Sequence, residues 1–103
     1  MKKTLFLVFL LPLIVGAGNS GLSKHGVTEL ARKESYSYCH DHSSIGEFKK
    51  TRCDFFSYLK GGEWVVAVHP IYENSHGKQL IVEGGDRVYY FSLKGELLRT
   101  INN

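Results

Sequence analysis

The densest group of chemically capable side chains in the sequence is Cys39-His40-Asp41-His42, with a second cysteine at Cys53. Thiolate, imidazole and carboxylate are the groups that hold zinc, usually four around a tetrahedral centre. On an extended strand His40 and His42 share a face, because side chains alternate sides, and these two are the metal candidates. The spacing is tighter than that of structural zinc patterns, and an oxidised Cys39 has no thiolate to give. The competing reading pairs Cys39 with Cys53 as a disulfide. Closing a loop of about 15 residues contributes on the order of 3 kcal/mol in the chain-entropy treatment, a large share of a small domain's stability.

Other constellations are missing. The sequence has no G-x-S-x-G elbow, no H-E-x-x-H and no phosphate-binding glycine loop. Its acidic residues are spread singly, so no pair stands out as acid and base. No catalytic residue and no cofactor is assigned, and an enzyme is not expected. His69, beside Pro70 at the end of an apolar run, suits either a satisfied core position or a pocket wall. His25 and His76 fall on a helix and a turn, facing solvent. What remains is recognition by surface aromatics. Tyr36, Tyr38, Phe56, Tyr58, Tyr89 and Phe91 are the partner-binding candidates, since tyrosine and other aromatic anchors are favoured at protein interfaces.

The elements that must position these residues are legible in outline. Val27, Leu30 and Ala31 are spaced for one helix face, with Leu22 extending it and Ser23 as N-cap. Glu34 to His40 alternates tyrosine with serine and reads as a short strand or extended arm, and Asp41 to Glu47 as a loop. Beyond it the chain reads as a meander: Arg52 to Leu59, a Gly61-Gly62 turn, Trp64 to His69, a turn at Asn74 to Gly77, and Gln79 to Glu83. Arg87 to Ser92 and Glu96 to Ile101 form the last hairpin. Pro70 is expected to limit its strand, having no N–H to donate. The fold class is α+β, one N-terminal helix packed on a four- to five-stranded antiparallel meander sheet. Trp64, Val66, Val68, Leu80, Val82, Val88, Tyr90 and Leu98 are the expected core face.

The first 17 residues have the composition of a signal peptide. Lys2 and Lys3 precede an apolar run from Leu5 to Val15, followed by small residues up to Ala17. That run is shorter than the ~20 residues a membrane span needs, so no stable span is expected after cleavage. Losing Lys2 and Lys3 from the 13 Lys and Arg leaves eleven against 10 Asp and Glu, a net charge of +1. No basic run remains that would track a phosphate backbone, and nucleic acid is not an expected partner. Residues 18–103 are then a single small domain, periplasmic or secreted, where a disulfide persists.

The succession Gly62-Glu63-Trp64-Val65-Val66, then Pro70, a glycine turn, and two strands ending in Lys94-Gly95-Glu96-Leu97-Leu98 resembles small cystatin-like or nuclear-transport-factor-like periplasmic immunity proteins. The resemblance covers Gly61 to Ile101, and the chain departs from it in lacking a long helical first half. It implies a protein that neutralises a toxin or envelope enzyme by binding it. The function expected is therefore that of an exported inhibitor or immunity-type protein whose partner is another protein rather than a small molecule. The alternatives are a periplasmic metal-binding protein using Cys39-His40-Asp41-His42, and an envelope accessory protein with no defined ligand.

Overall fold

A computed structural model describes residues 21–103, and the signal-peptide reading of residues 1–17 lies outside them. Two helices, α1 (Lys24–Glu34) and α2 (Tyr36–Cys39), precede six strands. These are β1 (Ser44–Ile45), β2 (Phe48–Lys60), β3 (Glu63–Glu73), β4 (Gln79–Leu80), β5 (Arg87–Phe91) and β6 (Leu97–Asn102). They form one antiparallel sheet in the order β1-β2-β3-β5-β6, with β4 paired to the far end of β3.

Helix α1 starts where its cap dictates. The Ser23 hydroxyl accepts a hydrogen bond from the Gly26 N–H at 3.0 Å. Val27 and Ala31 are fully buried and share one cluster with Trp64, Val66, Val68, Tyr89 and Phe91, with Leu22 and Leu30 packed against it. Gly95 sets how closely the helix approaches the β5–β6 turn. Its φ is +97°, and a Cβ there would sit 2.6 Å from Leu22 Cδ1.

The expected extended arm from Glu34 to His40 is instead a continuation of the helix. Ser35 is buried, donates its hydroxyl to the Ala31 carbonyl at 2.7 Å and accepts from the Cys39 N–H at 2.9 Å. Val27, Ala31, Ser35 and Cys39 are all buried and recur every fourth residue. That helical face outweighs the Tyr-Ser alternation. Cys39 bonds Cys53 in a disulfide, with the Cα atoms 5.6 Å apart, which fastens α2 to β2.

The β2–β3 hairpin is the longest element, and Gly61 and Gly62 make its turn with φ of +57° and +78°. Two successive left-handed residues match the strand twist in a two-residue hairpin. Strand β3 also runs through Pro70 to Glu73, past the end expected for it. The ladder explains why. Lys60 and Glu63 flank the turn as a hydrogen-bonded pair, so by alternation Cys53 and Pro70 are a non-bonded pair. The missing N–H of Pro70 therefore faces the opposite side, where β5 pairing ends at Val68 and β4 pairing begins only at Tyr72. Proline sits in that gap without costing a ladder bond.

The expected strand Gln79 to Glu83 shrinks to Gln79–Leu80. Within the Asp41 to Glu47 loop, Ser44 and Ile45 pair back onto Lys49 and Phe48. Trp64, Val66 and Val68 lie on the helix-covered face as expected, but β5 is turned over. Tyr89 and Phe91 are buried against the helix, while Val88 and Tyr90 face the other way, and Leu98 is exposed. A one-residue difference in phase exchanges the two faces of a strand.

Candidate functional site

The face of the sheet turned away from the helices has no described element packed over it, and its residues follow from the register. Tyr58, Val65, Tyr90 and Arg99 stand in one row across four strands, and Phe56, Ala67, Val88 and Ile101 in the next. Phe56 is 60% exposed, Tyr58 48% and Ile101 42%. Val65 is buried although it lies on this open side, flanked in register by Tyr58 and Tyr90. The centre of the patch is thus apolar and partly aromatic.

Its two ends are polar. At the hairpin end Arg99 donates to both Glu63 carboxylate oxygens through its two terminal guanidinium nitrogens, at 2.9 and 3.4 Å, and lies 4.0 Å from the centre of the Tyr90 ring. The Glu63 carboxylate raises the pKa of Arg99 further, so this cation stays charged. At the other end His69 Nδ1 lies 2.6 Å from Asp86 Oδ1, both half-buried, with Asp54 opposite His69 across the strands. His69 is accordingly half-buried rather than a core residue. It is part of the polar border of this face.

The six aromatic candidates divide among three places. Phe56 and Tyr58 stand on the open sheet face. Tyr89 and Phe91 are core residues, 3% and 2% exposed, and present no surface to a partner. Tyr36 is exposed on the helix side, stacked on His40 with ring centres 4.0 Å apart. Tyr38 is half-buried and holds the α2 end in place. Its hydroxyl donates to the Gly85 carbonyl, and the Lys50 ammonium and Arg87 guanidinium lie 3.8 and 4.2 Å from its ring centre. Burial pushes the Tyr38 phenol above its ordinary range, with Tyr72 adding to the effect and Arg87 opposing it.

Lys50 is almost fully buried and donates to the Tyr38 carbonyl at 2.7 Å and to Asp41 at 3.1 Å. Asp41 is held below the usual carboxylate range chiefly by the Ser43 N–H, helped by Lys50. The Cys39–His42 segment is therefore a helix end and a turn built around an ion pair. His40 closes α2 and its Nδ1 lies 2.8 Å from the Tyr36 carbonyl, and His42 adopts a left-handed φ of 57°. The two imidazoles do not share a strand face, because there is no strand. Among the described residues no group of three or more His, Cys, Asp or Glu side chains is placed to hold a metal ion.

Sequence reasoning missed Val65, Ala67, Val88, Tyr90 and Ile101 as members of one surface. The signal was present in Trp64 to His69, which is apolar on both faces. A strand buried on one side only needs apolar residues at alternate positions. Comparison with family models, with curated proteins and with solved structures finds no match for this chain. Among the described residues no helix is long and apolar enough to cross a membrane.

Proposed function

We propose that this chain is an exported binding protein that works by protein–protein contact, as an inhibitor or immunity-type protein of the periplasm. The observation that carries the reading is the open sheet face: exposed Phe56, Tyr58 and Ile101 around an apolar centre, bordered by Glu63–Arg99 and His69–Asp86. An apolar, aromatic middle inside a polar rim is the anatomy of a protein interface. Rigid strands fix the anchors before binding, which lowers the ordering cost of association. The N-terminal composition and the Cys39–Cys53 disulfide support an oxidising compartment outside the cytoplasm. The partner is a folded protein, a toxin or an envelope enzyme. Affinity capture from envelope extract, with the oxidised chain as bait, tests this. One stoichiometric partner retained at high salt is expected, because the centre of the face is uncharged. An empty capture overturns the reading and leaves an envelope accessory role.

A further inference from the structure

The sheet ends on one side in β2, and β1 covers only its first two residues, Phe48 and Lys49. From Arg52 to Lys60 no other described strand pairs with its outer edge. The ladder phase set by the Gly61-Gly62 turn gives the edge its chemistry. Lys60, Tyr58, Phe56 and Asp54 bond toward β3, so Cys53, Phe55 and Ser57 turn their N–H and C=O groups outward.

A cavity of about 640 Å³ lies along this edge, walled by Lys24, Thr28 and Arg32 of α1 and by Phe55 to Tyr58 of β2. Consecutive strand residues point to opposite faces, so a cavity touching all four lies at the strand's edge rather than on either face. A second cavity, of about 260 Å³, shares Arg32 and Phe55 with it and continues past Tyr36 and His40 to Arg52. Together they make one groove between the helices and the outer edge of β2, which no other described strand pairs there.

Edge strands are commonly blunted by charges, bulges or proline. Phe55-Phe56-Ser57-Tyr58 has none of these, the only irregularity in β2 lying at Lys50/Arg52. The groove is cationic: Lys24, Arg32 and Arg52 line it, with His25 and His40, against the single carboxylate of Glu29, which pairs with Arg32 at 3.2 Å. Arg52 is itself held by Glu73 at 3.2 Å. This charge opposes pairing with a second copy, whose own groove would bring the same cations.

We propose that the groove between α1 and the free edge of β2 receives an extended segment of a partner protein, added to the sheet as a further strand. Main-chain bonds to Cys53, Phe55 and Ser57 supply affinity, and alternate side chains supply selectivity. Those on the helix side meet Lys24 and Arg32 and are acidic. Those on the other side stand beside Asp54, Phe56 and Tyr58, and are apolar where they meet the two rings. The inference does not depend on the open-face reading, which capture tests separately.

The test uses the oxidised, nitrogen-15-labelled full chain and a capped decapeptide of alternating glutamate and valine. Saturable shifts and slowed exchange at the Cys53, Phe55 and Ser57 amides are expected. The same peptide methylated on alternate backbone nitrogens, and a lysine–valine counterpart, are expected to produce neither. Arg32→Glu is expected to weaken binding about tenfold. Lys24→Glu, whose side chain makes no hydrogen bond or ion pair among the described residues, keeps the charge argument testable if Arg32→Glu loosens α1. No saturable shift at millimolar peptide, or equal binding of the lysine peptide, overturns the proposal. So does a concentration-dependent dimer that protects the same amides, which assigns the edge to a second copy.

Discussion

Tyr89 shows how a single polar atom can be out of step with its surroundings. Its ring is buried in the core beside Phe91, and its hydroxyl has no hydrogen-bond partner among the described residues. A buried hydroxyl without a partner costs about 1–3 kcal/mol. Tyr89→Phe removes only that oxygen and is expected to leave stability unchanged or raise it by about 1 kcal/mol. Urea unfolding of the two proteins checks this, and a marked loss would mean that the hydroxyl is satisfied. Asp41 makes the opposite case. Its folded pKa is depressed, so its contribution is present above the unfolded carboxylate value of about 4 and is lost as pH falls through the lower folded value. Thermal melts are expected to show Asp41→Asn less stable than the native chain at neutral pH and converging with it in acid. Glu73, half-buried and also depressed through Thr51 and Arg52, leaves a residual slope of the same sign.

Helices and strands differ in how openly they announce themselves. Ser23, Val27, Leu30 and Ala31 specify α1 because capping and a four-residue spacing are local signals. The same spacing continues through Ser35 to Cys39, yet Tyr36 and Tyr38 alternate with serine and imitate a strand. The hairpin turn was legible from its paired glycines, whereas the extension of β3 through Pro70 was not, since it depends on a gap between β4 and β5 that only tertiary pairing creates. The disulfide joins the two kinds of element, tying the end of α2 to β2. Reducing it, or replacing both cysteines by serine, is expected to cost about 3 kcal/mol. Hydrogen exchange is expected to show α2 opening first while the β3–β5 pairing stays protected, because α2 has a single turn of its own and β3 is central. Uniform loss of protection across all elements would contradict that order.

Taken together, the described residues build a core between α1 and a sheet and leave the sheet's other face apolar, with no described element over it. The α+β class and the helix-side residues Trp64, Val66 and Val68 were readable from periodicity. The open face is half-legible in the sequence: residue type singles out Phe56 and Tyr58, but it favours Tyr89 and Phe91 over Val88 and Tyr90. Aromatic residues serve cores and interfaces alike, and only the phase of β5 distinguishes them. Ile101 and Ile81 give a matched comparison, since both are exposed isoleucines outside the edge groove, but only Ile101 stands on the open face. The decisive measurement is capture from envelope extract by the native chain, Ile101→Ser and Ile81→Ser in parallel, each checked for an unchanged melting temperature. Retention of the partner by the native chain and Ile81→Ser, with its loss from Ile101→Ser, is the result expected of an open sheet face that binds. Full retention by Ile101→Ser would contradict it and move the interface off this face.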